Sequence, residues 1–325
     1  MSSPSLIEYS DPVSLNADQI SPTCRELINR LTNDQGGPGA GILKGPRVYP
    51  EPGFPPASTE MVGKREEHEV SRAIFKRKHN IEGGNFLQVE SLGEAPTYER
   101  PEKPTSDIRV ETLIEAIKVF NSAFDAAERS SNIQTRLETI DMSFSLLPQG
   151  NEGGSGRSSP SIGAVRGILA LGPAFHEPGK STKCGHINWL LEGGPSILVV
   201  IDPQSTKLFH DEWEILRTKA TPPRVRDRKR RPLIIPSLSY LRTKNIRYHL
   251  IIQKKFDICV VLPGVYTYGY HMTAKYGEFK LFSRPEQATH NGTQIELPIL
   301  GQSLSFDEGV LSTSLVTASS NIAKF

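Results

Sequence analysis

Between Phe256 and Met272 the chain reads FDICVVLPGVYTYGYHM. After Pro263-Gly264, Tyr266, Tyr268 and Tyr270 take one parity, and Thr267, Gly269 and His271 take the other. A period of two marks a strand with two unlike faces. The aromatic face suits a strand surface or inter-sheet packing. The other face, with a hydroxyl and an imidazole, is the candidate pocket face. A second cluster, FHEPGKSTKCGHINW, sets His176 beside Glu177 and places His186 and Asn188 further on. His176 is a candidate metal ligand; the plainer reading is a hydrogen-bonded or surface histidine, and His186 beside Trp189 reads as structural. On an extended strand His176 and Glu177 point to opposite faces. A turn at Pro178-Gly179 would bring the carboxylate round. A third chemistry is anionic: Arg224, Arg226, Arg228, Lys229, Arg230 and Arg231 pack six cations into eight positions. Such runs bind anions, nucleic acid or an import receptor, or form a solvated loop. No aromatic interleaves them, so base stacking is not suggested.

These residues need elements to hold them. Residues 1–20 read as disordered. Ser21–Asp34 reads as a short helix, with Ser21 as cap, Pro22 at its first position and Leu27, Ile28 and Leu31 as the apolar stripe. A Gly/Pro-rich connector follows, with a short extended piece at Ile42–Leu43. The segment DIRVETLIEAIKVFNSAFDAAERS reads as the clearest helix, with Leu113, Ile114, Ile117, Phe120 and Phe124 on one face. Residues 150–161, GNEGGSGRSSPS, form a flexible linker or loop. Beyond it lie short apolar or alternating runs separated by turn residues, the pattern of a sandwich or barrel. Only DEWEILRTKA among them reads as helical. The tail from 286 to 325 is polar and weakly patterned, and NGT at Asn291–Thr293 reads as a turn.

Two of these stretches resemble a known family. Phe175–Pro203, FHEPGKSTKCGHINWLLEGGPSILVVIDP, resembles the first half of a jumonji C (JmjC) core: an initial His, then IN.L, then G.P, then a strand ending in Pro. FDICVVLPGVYTYGYH resembles the family's later strand, an apolar lead into a PxGxxH-type segment. The front half resembles a degenerate JmjN segment in LINRLTNDQGGPGAGILKGPRVYP. GGNFLQV and VETLIEAIKVFNSA resemble the strand and helix that follow it. The matches span roughly residues 27–285, and their order and spacing carry them.

The resemblance implies a double-stranded β-helix, a cupin-like barrel, holding Fe(II) and 2-oxoglutarate for oxidative demethylation of histone lysines. The family's iron takes two His and one carboxylate on one side of its coordination sphere. Here His176 matches the first His, but Pro178 stands at the acid position, which leaves Glu177 as a substitute. Asn188 matches an Asn that helps hold the cosubstrate. Ser196 stands where the family has a Lys for the cosubstrate's distal carboxylate. Thr267 stands at the second His. His271 shares the face of Thr267 about 13 Å further along, at roughly 3.3 Å per residue. It matches the family's Asn position, and its use as a replacement ligand would need a bulge at Gly269.

The bulk composition sets limits. Three cysteines, Cys24, Cys184 and Cys259, stand far apart without a CxxC pair, which argues against a disulfide framework or a local zinc site. The N-terminus shows no apolar signal segment, and no run approaches the roughly 18 apolar residues of a membrane span. The net charge of +2 identifies no partner.

The reading is an α+β chain, mainly β with flanking helices. It comprises a disordered 1–20, a helical JmjN-like and connecting region at 21–149, a loop at 150–161, a JmjC-like β-barrel core at 162–285 and a tail from 286. The expected function is a catalytically degenerate, intracellular and nuclear JmjC-like binding module on chromatin or histone tails, with nucleic acid as a further partner through the basic run. No cofactor is expected to bind tightly. The alternatives are an active Fe(II)/2-oxoglutarate oxygenase using His176, Glu177 and a third ligand such as His271, and a cupin-like small-molecule binder without metal.

Overall fold

The computed structural model describes residues 4–34, 36–47, 72–79, 85–92, 109–129, 137–141, 162–170, 174–179, 184–220, 233–273 and 275–283. The basic run, the 150–161 loop, Asn291–Thr293 and the tail lie outside them.

The chain is a mixed α+β protein built mostly from antiparallel strands. A five-stranded sheet joins β1 (Ser5–Leu6), β11 (Tyr248–Gln253), β9 (Ser196–Ile201), β13 (Thr267–His271) and β7 (Ala174–Gly179), in that order. A six-stranded sheet runs β2 (Ala40–Lys44), β12 (Asp257–Val261), β8 (Cys184–Gly193), β14 (Lys275–Ser283), β6 (Ile162–Ala170) and β5 (Leu137–Asp141). A three-stranded sheet runs β10 (Leu233–Pro236), β4 (Asn85–Leu92) and β3 (Arg72–His79).

Strand β9, SILVVI, is buried along its whole length because both its faces are covered. Ile197, Val199 and Ile201 join one core with Phe120 and Phe124 of α2 (Leu113–Arg129), Phe209 and Trp213 of α3 (Thr206–Ala220), and Ile234 and Ile235 of β10. Leu198 and Val200 join the other core, with Ile251 of β11 and apolar residues of the six-stranded sheet. The two larger sheets therefore face each other across the even-numbered side of β9. The outer face of the six-stranded sheet is covered by α1 (Ile20–Asn33), whose Leu27 lies against Gly41.

Several expectations are corrected. Residues 4–20 are ordered rather than disordered: β1 pairs in parallel with β11, Ser10 N donates to Ile42 O, and Leu15 is buried. Helix α1 begins before Ser21. A short turn at Ala17–Gln19 leads into it, capped reciprocally by Asn16 and Gln19, so Ser21 and Pro22 lie in its first turn. On α2, Ile114 is 78% exposed and the small Ala116 is buried in its place. Ile114 sits about 100° round the helix from Leu113, off the stripe through Ile117, Phe120 and Phe124. The region at 21–149 contributes strands to two of the sheets as well as α1 and α2. Its strands β2 and β5 belong to the six-stranded sheet, and β3 and β4 form most of the third. A second helix between the core strands, α4 (Leu238–Thr243), was not anticipated; Ser237 caps it by accepting from Tyr240 N. No helix among the described residues is long and apolar enough to cross a membrane.

Candidate functional site

The tyrosine parity resolves cleanly. Tyr266 and Tyr268 are fully buried beneath the helices, with Tyr266 edge-on to Phe209 and Trp213, and Tyr268 edge-on to Phe120. Tyr270 packs on Phe175. The aromatic face is thus helix-facing core rather than strand surface. Thr267, Gly269 and His271 face the space between the two larger sheets.

Across that space, β8 shows the same division. Ile187 pairs in register with Val260, which pairs with Gly41 against α1. Strand alternation then turns His186, Asn188 and Leu190 towards the five-stranded sheet. Cys259 pairs with Asn188 and shares its side. Asn188 and Thr267 therefore face the same interior.

Register places the histidines. His176 pairs with Gly269, between Thr267 and His271, and the ladder shifts between Thr267 and Gly269. The His176 and His271 rings stack face to face, 5.0 Å apart and 18° from parallel. Thr267, only 9% exposed, pairs with Gly179 instead. The backbone stays extended through Pro178 and Gly179, so no turn forms there. Pro178 is accommodated because β7 is an edge strand. The side chain of Glu177 lies outside the described residues.

Gly269 makes the histidine packing fit. A Cβ there would lie 2.9 Å from His176 Cε1 and collide with the backbone oxygen of Ile197. The ring could yield; the carbonyl, held in the ladder, cannot. Gly269→Ala is expected to cost about 1–3 kcal/mol, as overpacking of a close-packed interior does. Thermal unfolding reads this, and a melting temperature equal to the parent's would contradict the placement of His176 over Gly269.

The interior is polar at one level. Ser196, fully buried, pairs in register with Gln253 on one side and His271 on the other. Ser196 Oγ lies 2.9 Å from His271 Nδ1. Gln253 donates to the carbonyls of Asn188 and Asp257, but its Oε1 is buried without a partner among the described residues, as is Nδ1 of His176. Lys275 opens β14 and is 4% exposed. Burial pushes its ammonium down to about 7, and no carboxylate among the described residues pairs with it. Burial also holds the imidazoles neutral. His176 is lowered to about 3, by desolvation first and then by the charge of Lys275 and by His186; His186 is lowered to about 4. His271 is pushed well below the usual range by desolvation, Lys275 and His176. His176 and His186 keep a little exposed surface, but the sealed Nδ1 of His176 is the atom that matters to a ligand.

The described side chains do not by themselves fit an Fe(II) and 2-oxoglutarate site. Sealed and unpartnered, His176 Nδ1 would suit a metal. Around it stand an imidazole whose Nδ1 is held by Ser196, and the neutral hydroxyl of Thr267. The buried Lys275 ammonium, close enough to depress both histidines, opposes a divalent cation. Among the described residues no three His, Cys, Asp or Glu side chains come together as a metal site. Lys275, Gln253 and Cys259 were not singled out in the sequence. Lys275 shares the strand parity of Gly277, Phe279 and Leu281, opposite Tyr276, Glu278 and Lys280. Compared with known proteins, the chain matches no family model, and no curated protein is significantly similar to it.

Proposed function

We propose that this chain is a JmjC-like double-stranded β-helix with a degenerate metal site, working without oxygenase chemistry as a binding module on chromatin. The observation that carries this reading is the strand order. Let the core strands β6–β9 and β11–β14 be numbered one to eight. The six-stranded sheet then holds them in the order 6-3-8-1, and the five-stranded sheet in the order 5-4-7-2. A chain that passes between two facing sheets in this way has jelly-roll connectivity, the pattern cupins share. On this reading His176, on the second strand, and Thr267, on the seventh, take the positions of the family's metal-binding pair. The chromatin partner and a nuclear location follow from the resemblance.

The test is anaerobic loading of the purified protein with Fe(II), followed by metal analysis and a succinate assay with 2-oxoglutarate. Sub-stoichiometric iron and no succinate are expected, together with binding of histone-tail peptides in fluorescence anisotropy. Stoichiometric iron that is lost in His176→Ala, with succinate formed by the parent, would make the chain an active oxygenase. Failure of every histone-tail peptide to bind would remove the chromatin role.

One observation favours a second reading, a small-molecule binder of the cupin kind without metal. A buried cation with no carboxylate beside it among the described residues is costly, and a native protein seldom keeps one idle. With the unpartnered Gln253 Oε1 and His176 Nδ1 on the same interior, Lys275 suits a small carboxylate that also carries a hydrogen-bond donor.

A further inference from the structure

Away from the interior, the first strand meets the end of β11. The parallel pairing of β1 sets Ser5 in register with His249. Ser5 Oγ lies 2.7 Å from His249 Nδ1, and His249 Nε2 lies 3.3 Å from Asp202 Oδ2. Asp202 is itself fixed: its Oδ1 accepts from Arg247 Nη2 at 2.8 Å and from Gln204 N at 2.8 Å. We propose that Ser5, His249 and Asp202 form a surface acyl-transfer site that hydrolyses small carboxylic esters.

The arrangement meets the geometric requirements for an activated serine: a hydroxyl bonded to a base, and the base bonded to an orienting acid. With its Nε2 proton donated to Asp202, His249 leaves Nδ1 free to accept the proton of Ser5. The ring is turned the opposite way from the serine-protease arrangement, but base and acid keep their roles. Asp202 is well suited to stay ionised. Burial alone would raise its pKa, but hydrogen bonds from Arg247, Gln204 N and His249 outweigh that and hold it below the usual carboxylate range.

Arg247 stands two residues before His249, just ahead of β11, and shares Asp202 with it. Its Nη2 is committed to Asp202 and to Gln204 Oε1, while Nε and Nη1 have no partner among the described residues. Those N–H groups are the donors assigned to the oxyanion of the acyl group.

The hydroxyl is not needed to anchor the strand. Backbone bonds do that, as in Ile7 N to Leu250 O at 2.8 Å. Tyr9, whose hydroxyl donates to Asp257, pins the segment further along. Ser5 is exposed, as a nucleophile open to substrate must be.

In the first step Ser5 Oγ attacks the ester carbonyl carbon and its proton passes to His249 Nδ1. The carbon–alkoxy bond breaks, and the alcohol leaves with that proton. Water then attacks the acyl-Ser5 ester and gives one proton to His249. The acid departs, and Ser5 recovers its hydroxyl proton.

The test uses the full chain with p-nitrophenyl acetate, and separately with a fluorophosphonate probe followed by peptide mapping. The expected result is catalytic release of p-nitrophenol and a single label on Ser5, both lost in Ser5→Ala. His249→Gln should lower turnover about 100-fold, the scale of a general base. If His249→Gln does not fold, Ser5→Ala still decides the matter, because it removes one exposed oxygen outside the backbone pairing. Turnover that persists in Ser5→Ala overturns the proposal, as does a wild-type protein with neither turnover above buffer nor a labelled Ser5.

Discussion

Acidification from pH 7 to pH 4 is expected to unfold this protein, with the loss centred on the histidines between the two sheets. His176 and His186 have folded pKa values of about 3 and about 4, and His271 lies well below the ordinary 6.5. In the unfolded chain each takes up a proton near pH 6.5, whereas in the fold each stays neutral. Below 6.5 the unfolded state therefore binds more protons, and stability falls as pH falls. At about 1.4 kcal/mol per tenfold change in proton affinity, the losses by pH 4 approach roughly 3 kcal/mol for each of His176 and His186. His271 adds to them. Asp257 works the other way. Burial raises its carboxyl to about 6, so falling pH relieves a penalty of roughly 3 kcal/mol between 6 and 3.8. Asp202, held low, joins the histidines only at the acid end. The histidines win, and their combined loss is comparable to the 5–15 kcal/mol that holds a typical fold. Circular dichroism against pH should show cooperative loss of structure between about 6 and 4. The His186→Gln variant should shift that transition to lower pH. A protein that keeps its near-ultraviolet signal at pH 3.5 would mean that these rings are not sealed.

Sequence pattern revealed one strand's faces and little of what lies across from it. The Thr267–Gly269–His271 parity was readable because alternation is local: each side chain's face follows from its neighbours. The placement of His176 opposite Gly269 was not readable, because register between β7 and β13 depends on a ladder shift that neither segment encodes alone. The N-terminus was misread for a related reason. Its order comes from long-range pairing of β1 with β11 and from Tyr9 reaching Asp257, and a polar segment carries no periodic trace of such contacts. Ile114 is apolar yet exposed, because its angle round the helix, not its hydrophobicity, decides which face it takes. Lys275 went unnoticed because a lysine in a strand ordinarily points to solvent. Its burial follows from the six-stranded sheet closing over the five-stranded one, which is a property of the whole fold.

Replacing that lysine should stabilise the protein. Lys275 has a folded pKa of about 7 against 10.5 in the open chain. Below pH 7 both states carry the proton, and the folded state bears the full cost of a desolvated ammonium, roughly 5 kcal/mol. Between 7 and 10.5 the folded amine is neutral while the unfolded one is still charged, so the cost fades as pH rises. Methionine has a similar length and no charge. Lys275→Met should therefore melt well above the parent at pH 6, by about 10 °C at 2–4 °C per kcal/mol. The gap should close towards pH 10.5. A variant that melts below the parent at pH 6 would show that the ammonium is satisfied in the fold. The same substitution separates a structural accident from a binding site. A carboxylate seated on Lys275 would pair with the ammonium and restore its proton, so binding above pH 7 should take up protons from the buffer. It would also raise the parent's melting temperature by mass action. Lys275→Met should gain the stability and lose that ligand-dependent rise. A residue that weakens the empty fold and strengthens the occupied one is how a binding site differs from a core position.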